Sequence, residues 1–205
     1  MALAGNAAIV IWEAIQPGMV EEHDAWHCVE HLPERMAIPG FLCGRRSAAA
    51  DPGNAEQRFI FYELESIGVA TSAPYLERLN NPTPWSRKIM SAMRLNRTLC
   101  RVVASHGFGV GAHLLTLRLR EGERLAGGLA AVARAPGIVG AHLLQRDAGV
   151  ARPLTGEEKL RKGGVDASAD WIAIVEAYAA SALDQLRLEI AAEFAARYAL
   201  SQVVK

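Results

Sequence analysis

The chain has 205 residues, and 51% of them are hydrophobic, which allows one large domain or two small ones with a real core. Lys and Arg together number 22, as do Asp and Glu, so the formal charge at pH 7 is zero. This balance argues against nucleic-acid binding and against a polybasic membrane anchor, because both need a basic surface. No segment is apolar for long enough to cross a bilayer. We therefore expect no nucleic-acid partner and no membrane partner.

The N-terminal segment and the cysteines indicate a cytoplasmic protein. Residues 1–16 contain an apolar run that Glu13 interrupts, but they lack the basic leader of a secretory signal. The cysteines Cys28, Cys43 and Cys100 are odd in number, widely spaced and without a CxxC pair. Such a set is typical of free thiols in a reducing compartment. We expect the mature protein to begin with a strand.

The first half of the sequence predicts the order β-α-β-β-α-β. Short apolar runs bounded by turn residues predict strands, at 6–15, 39–49, 57–66 and 97–105. Helical patterns cover 19–32 and 71–93, the second with a proline-rich break in its middle.

The second half repeats this order. Predicted strands cover 111–120, 136–147, 170–180 and 200–204, and predicted helices cover 121–135 and 181–198. Ser181 is the expected N-cap of the last helix. When 170–180 is aligned with 57–66, Glu176 falls at the position of Glu63. The second half therefore reads as a degenerate copy of the first.

A β-α-β-β-α-β unit is the ferredoxin-like motif, in which both helices cover one face of a four-stranded antiparallel sheet. The other face is bare, and two such faces can pack together. We predict an α+β fold in which two tandem ferredoxin-like units, 1–105 and 106–205, pack their antiparallel sheets face to face as an intrachain α+β barrel. Two independent domains are the weaker alternative, since each would expose an apolar sheet face.

The connection at 149–169 is the least regular part of the sequence. Thr155 and Glu158 have the spacing of a capping box, which predicts a short helix that ends at Gly163 and Gly164. This helix could cover the mouth of a pocket. A surface insertion is the favoured interpretation, because loops accept added length at little cost.

The first predicted helix carries three evenly spaced histidines, His23, His27 and His31. On a regular helix they lie on one side and the aliphatic residues on the other, so we expect the aliphatic side to face the sheet and His23 and His27 to be solvated. His23 and His31 are about 12 Å apart along the axis, whereas a metal–nitrogen bond is about 2 Å. At most two of the histidines could share an ion, and we predict no metal site.

Pro33 sets His31 apart from the other two histidines. Proline disfavours helix at the residue before it, so the helix is expected to break or kink near Leu32. His31 would then lie in the last turn, where the helix dipole favours a protonated imidazole, and it could bend toward the next strand. A capping histidine without chemistry is the alternative interpretation.

The segment 26–41 resembles the first-helix signature of EthD-like proteins of the dimeric α+β barrel superfamily, and 75–87 is similar to their second-helix region. The matching positions of the signature are Trp26, Glu30, His31, Pro33 and the run Pro39–Gly40–Phe41. His27 departs from the family, which usually has tyrosine there, and the usual member is a single unit that forms a homodimer. In the second half, Gly128 stands where His31 would be. The resemblance therefore implies a single pocket, near His31.

Related barrels include muconolactone-type isomerases, polyketide cyclases, cofactor-free monooxygenases and haem-degrading enzymes, which implies a small apolar or aromatic ligand. We predict that His31 is the catalytic acid or base, that Arg45 holds a carboxylate or enolate oxygen, and that no cofactor is needed. Trp26, Tyr62 and Trp85 are expected to line the pocket.

Two other functions stay open at this point. The protein could be a non-catalytic, stress-responsive ligand-binding protein with the same pocket. It could also handle haem, for which His31, His106, His113 and His142 are the candidate axial ligands. Pairing through an exposed sheet edge or helix face leaves self-association open as well.

Overall fold

A computed structural model describes residues 3–149, 154–161, 169–188 and 190–205. Every strand in this part of the chain lies in one sheet. The strands are β1 (Ala7–Ile15), β2 (Phe41–Ala49), β3 (Arg58–Leu64), β4 (Met93–Gly107), β5 (His113–Leu119), β6 (Ile138–Arg146), β7 (Trp171–Ala177) and β8 (Phe194–Val204).

The helices are short and connect the strands. They are α1 (Val20–Trp26), which continues through a π-helical turn (His27–His31) into α2 (Leu32–Met36), then α3 (Ala73–Asn80), α4 (Pro84–Met90), α5 (Glu123–Val132), α6 (Gly156–Leu160) and α7 (Ala180–Gln185), with a 3₁₀ turn at Ile67–Thr71. Among the described residues, no helix is long and apolar enough to cross a membrane.

The eight strands form a closed antiparallel barrel with the order β1-β3-β2-β8-β5-β7-β6-β4. Residues before position 108 contribute β4-β1-β3-β2 and residues after it contribute β8-β5-β7-β6, which is the same order in both halves. The halves join where β2 pairs with β8 and where β4 pairs with β6. The predicted α+β barrel is confirmed.

The barrel has one apolar core inside it and others outside. The interior is filled by large side chains that include Trp12, Phe59, Phe61 and Tyr198. The side chains that alternate with these on β1 and β3, such as Ile11 and Ile60, point outward and pack under α1–α4. Strands buried on both faces are apolar on both faces, which explains the missing alternation in their sequences.

The predicted closing helix at 181–198 is wrong. Only Ala180–Gln185 is helical, its N-cap is Ala179 rather than Ser181, and the chain extends again from Phe194. Here Ala196 and Tyr198 point into the barrel with the period of a strand. β8 has to pair with both β2 and β5 to close the barrel, and this pairing overrides the helix propensity of an alanine-rich segment.

The predicted helix break at Pro33 is also wrong. The chain stays helical through Pro33 to Met36. The N–H of Leu32 bonds the carbonyl of His27, five residues earlier, so the turn before the proline is wider than an α-turn. A wider turn accommodates a residue that lacks an N–H group and whose ring otherwise collides with a carbonyl of the preceding turn.

The capping box in the connection at 149–169 forms as predicted. The backbone N–H of Glu158 donates to Thr155 Oγ1 at 3.4 Å, and the Glu158 carboxylate accepts from the backbone N–H of Thr155 at 2.8 Å. These bonds cap α6. The predicted helix end at Gly163 and Gly164 lies outside the described residues.

A buried ion network crosses the interior of the barrel. Arg45 pairs with Glu63 of β3 and, at 2.5 Å, with Glu176 of β7. His142 Nε2 lies 3.0 Å from Glu176, and the N–H of Gly111 donates to the same carboxylate at 2.7 Å. Burial raises the pKa of Glu176, but His142 and Arg45 outweigh burial and hold this pKa below its ordinary value.

This network corrects the predicted role of Arg45. A Cβ on Gly44 would contact Leu32 and Met36, so Gly44 faces the helices and Arg45, the next residue of β2, faces the barrel interior. The Arg45 guanidinium is 2% exposed and holds two carboxylates of the protein. It therefore connects the two halves of the barrel, on the opposite side of the sheet from His31.

We expect Glu176→Ala to lower the free energy of unfolding by about 3–5 kcal/mol, because the substitution leaves Arg45 buried without half of its counter-charge. Urea unfolding at pH 7 measures this change. Glu65→Ala, which truncates an exposed glutamate just after β3, is the control and should change the free energy by less than about 0.5 kcal/mol. A loss below about 1 kcal/mol for Glu176→Ala would contradict a structural role for the network.

Candidate active site

All three histidines of the first helix are buried, contrary to the prediction of solvated His23 and His27. His23, His27 and His31 are 0%, 1% and 8% exposed, whereas Val29, expected on the sheet side, is 72% exposed. Residues four apart drift around a regular α-helix, because its turn holds 3.6 residues. The wider π-helical turn removes this drift and keeps His27 and His31 on the inner face. Single π-helical turns are frequent at functional sites.

The imidazole rings form a row along the helix. Ring centroids are 5.9 Å apart between His23 and His27 and 5.4 Å apart between His27 and His31. The indole of Trp26 lies 4.4 Å from the His31 ring and fixes its orientation. In the described part of the chain, no group of three or more His, Cys, Asp or Glu side chains could hold a metal ion.

His23 is the member of the row whose surroundings favour the charged form. Its Nε2 lies 3.2 Å from Glu13 Oε2, at ion-pair distance without hydrogen-bond geometry, and its Nδ1 lies 3.4 Å from Asp24. Burial alone lowers the pKa of His23, but Glu13 and Asp24 outweigh burial and raise it. The pKa of Glu13 is lowered in turn: burial raises it, and His23 more than offsets this effect. His23 and Glu13 form a buried ion pair.

His27 and His31 are neutral. Burial, which disfavours the charged form, lowers the pKa of His27 to about 3 and holds the pKa of His31 well below its ordinary value. Arg35 lowers the pKa of His31 further. The expected protonation of His31 by a helix dipole is therefore wrong, since the helix continues past it. Among the described residues, neither nitrogen of His27 nor Nδ1 of His31 has a hydrogen-bond partner.

His31 lines a cavity between the outer face of the sheet and helices α2–α4. The cavity volume is about 20 Å³, which is room for roughly one water molecule. About half of its wall is apolar and the other half is polar. The polar side chains that line it are Glu13, His31, Arg35, Tyr62, Tyr75 and Arg97, with Glu157 and Arg161 from the region of α6.

Two hydrogen-bond donors face the cavity together with His31. The Tyr62 hydroxyl and Nη1 of Arg35 have no hydrogen-bond partner among the described residues, although both side chains are buried. Burial raises the pKa of Tyr62, so its hydroxyl stays protonated and can donate. The other terminal nitrogen of Arg35 bonds Glu157. The cavity therefore combines a proton acceptor with two donors, which can act on a ligand that has an acidic hydrogen and an oxygen.

The structure brings Tyr62 and His31 together as predicted but places the tryptophans elsewhere. The indole N–H of Trp26 donates to Glu30 and Ser86, each at 3.1 Å. Trp26 packs against the His31 ring and does not line the cavity. Trp85 is partly buried against the same apolar cluster and does not line the cavity.

Sequence reasoning missed several residues of the cavity. Arg35 follows His31 by four residues, and this spacing could have indicated it once an unbroken helix was assumed. Glu13, Arg97 and Glu157 come from other elements, so nothing in the sequence indicates that they meet His31.

No known protein family matches the sequence, and no curated protein matches it either. Solved structures do resemble the fold. An anthrone oxidase-like protein has a TM-score of 0.62 at 10% identity, with 100% of this chain and 95% of the other covered. A candidate monooxygenase from Fusobacterium nucleatum subsp. nucleatum has a TM-score of 0.61 at 7% identity, with 98% and 95% covered. A mutant chlorite dismutase from Candidatus Nitrospira defluvii has a TM-score of 0.53 at 8% identity, with 97% and 92% covered.

At such low identity these likenesses show the fold alone. The neighbours are dimeric α+β barrel proteins, and this chain has a closed eight-stranded barrel of the same kind.

Proposed function

We propose that the protein binds a small apolar or aromatic ligand in the His31 cavity and that His31 is the base of a proton-transfer reaction. The observation that carries the proposal is a buried neutral imidazole that lines the cavity and whose Nδ1 has no hydrogen-bond partner among the described residues. A buried polar atom without a partner is rare in proteins, and a functional role is one of its common explanations.

A neutral His31 can accept a proton on its unprotonated ring nitrogen, whereas the N–H that it keeps is too weak an acid to be given up at neutral pH. Its lowered pKa makes it a weak base toward water. When it takes a proton from a ligand, however, the ligand anion that forms lies beside the new imidazolium and favours the charged form. The proton can return to the ligand at another atom, which completes an isomerisation without an oxidant or a cofactor.

Tyr62 and Arg35 would stabilise the oxygen on which the negative charge develops. Both present donors that have no partner among the described residues. Donors already fixed in a dry site stabilise developing charge without reorganisation. Glu13, Arg97 and Tyr75 complete the polar wall, in which Arg97 Nη2 donates to the Tyr75 hydroxyl at 3.3 Å.

The names of the structural neighbours fit this chemistry without selecting one reaction. Two of them name an anthrone oxidase-like protein and a monooxygenase. An anthrone is an apolar aromatic ketone, and its ring CH₂ group is acidic because loss of a proton gives an aromatic phenolate. A ligand of this size needs more room than the closed cavity offers, so binding requires the cover formed by Glu157 and Arg161 to move.

Non-catalytic ligand binding is the second candidate, and the lowered pKa of His31 is the observation that favours it. The same Nδ1 would then only accept a hydrogen bond. Haem handling gains no support from two of its candidate ligands. The cavity beside His31 has room for about one water, and His142 is held through both ring nitrogens by Ser105 and Glu176.

We further propose that the chain is an EthD-like, cytoplasmic protein built as a tandem repeat, with units 1–105 and 106–205. Its support is the identical strand order of the halves and the convergence of Glu63 and Glu176 on Arg45. Gly128, in the second half, has open space around its Cβ position, so no base replaces His31 there.

We expect the protein to catalyse exchange of the acidic CH₂ hydrogens of phenylpyruvate or anthrone with solvent deuterium, followed by proton NMR. His31→Ala should slow this exchange by roughly 10²- to 10⁴-fold, the usual contribution of a general base. His113→Ala, on β5 outside the cavity, is the control and should keep the wild-type rate. Equal rates for His31→Ala and wild type would remove the catalytic proposal, and ligand binding without any exchange would leave the non-catalytic one.

The burial of neutral His27 predicts a loss of stability in acid. The unfolded chain protonates His27 below its usual pKa of about 6.5, whereas the folded chain does so only near pH 3. The unfolded state therefore binds more protons between these values, and stability falls as pH is lowered through this window, by about 2 kcal/mol from pH 7 to pH 5.

Urea unfolding of His27→Leu at the two pH values tests this. The variant should lose about 2 kcal/mol less than wild type between pH 7 and pH 5, because it lacks the titrating group. Val29→Leu, an exposed substitution in the same turn, should keep the wild-type difference. An unchanged difference in His27→Leu would show that His27 is not buried in its neutral form.

A further inference from the structure

We propose that the ligand of the His31 cavity is an aromatic carboxylate, and that its carboxylate replaces Glu157 at Arg35. This inference rests on the proposed ligand site and adds the chemical class of the ligand. It also assigns α6 the role of a cover whose own glutamate occupies the ligand's anion position.

The Arg35–Glu157 ion pair closes the cavity. Both residues are 3% exposed, although they lie 122 positions apart in the sequence. Arg35 is on α2, four residues after His31, and Glu157 is on α6. Nη1 of Arg35 has no partner in the described chain, so the guanidinium can donate to one further oxygen. Once Glu157 is displaced, both terminal nitrogens are available to the two oxygens of a carboxylate.

The charges around the cavity favour an anion. Its described lining carries the guanidinium groups of Arg35, Arg97 and Arg161 and the carboxylates of Glu13 and Glu157. Withdrawal of Glu157 would leave the buried guanidinium of Arg35 without its carboxylate partner, and an incoming carboxylate restores that pair.

A neutral ligand would displace Glu157 from Arg35 less favourably than a carboxylate ligand would. If it displaced Glu157, Arg35 would stay buried without a counter-ion, which is strongly unfavourable. A carboxylate ligand replaces one charged oxygen pair by another, while the displaced Glu157 gains hydration. The aromatic part of the ligand would contact the apolar wall, which includes Phe41, Leu79 and Met93.

α6 is a short helix whose cap lies within the segment that would move. The helix has five residues, too few to be stable without its neighbours. Apart from Glu157, its contacts include a bond from the N–H of Gly156 to Asn80 Oδ1 at 3.1 Å and packing of Leu160 on the apolar cluster. The Thr155–Glu158 capping box lies within the segment, so the helix can move without losing its cap.

Isothermal titration calorimetry with 2-naphthoate and its neutral analogue 2-naphthamide at pH 7 tests the proposal. Wild-type protein should bind the acid at least about tenfold more tightly than the amide, a difference of about 1.4 kcal/mol. In Glu157→Gln the competing charge is gone, so naphthoate should bind roughly tenfold more tightly than to wild type. Arg35→Met should bind the two compounds equally.

Glu77→Gln, which neutralises an exposed glutamate of α3, is the matched control and should leave both affinities at the wild-type values. Equal affinity of wild type for acid and amide would overturn the proposal, as would absence of naphthoate binding to wild type and Glu157→Gln. These probes have no acidic C–H group, so the result is independent of proton transfer. A naphthoate preference without phenylpyruvate exchange would remove the catalytic role of His31 alone, and His31-dependent exchange without the preference would remove the carboxylate proposal alone.

Discussion

The pairing of β8 with both β2 and β5 is the constraint on which the rest of the structure depends. It closes eight strands into a barrel within one chain, and the interior is then filled by Trp12, Phe59 and Tyr198 and by the Arg45 network. A filled interior leaves no room for a ligand there. The cavity beside His31 lies outside the barrel, between the outer face of the sheet and helices α2–α4.

Burial of the imidazole row is the second physical feature that shapes the site. One member, His23, keeps a charge because Glu13 and Asp24 lie beside it. For His27 and His31, burial lowers the pKa more than nearby charged groups raise it, so the neutral form is favoured. His31 can therefore accept a proton in a buried site. The neutral state of His31 follows from the π-helical turn, which directs the ring inward.

Much of the fold could be predicted from the sequence because its signals are local. The repeated β-α-β-β-α-β order and the matching positions of Glu63 and Glu176 indicate two similar halves, and the halves do contribute strands in the same order. The Thr155–Glu158 spacing indicated α6 for the same reason. Residues 194–198 of β8 were predicted as helix because their local propensity is helical, and only pairing with strands distant in sequence makes them extended.

The candidate site was harder to predict because it is assembled from distant elements. His31 and Tyr62 could be chosen by residue type, and both line the cavity. Arg45 is excluded from the site only when the facing of the β2 residues is known, because the strand directs Arg45 to the other face of the sheet. A π-helical turn has no clear sequence signal, so the inward row of histidines was not foreseen. Glu157 lies 122 residues from its partner Arg35, beyond any pattern of spacing.

The most direct test of this account is the ionisation of His31, followed by ¹⁵N NMR of the histidine rings and assigned by comparison with His31→Ala. The His31 ring should stay neutral at a pH equal to its ordinary pKa of about 6.5, because burial lowers its pKa. Its ¹⁵N shifts should change when naphthoate binds, because the ring lines the cavity that the ligand enters. A His31 ring that titrates near its ordinary pKa of about 6.5 and does not respond to the ligand would contradict this account.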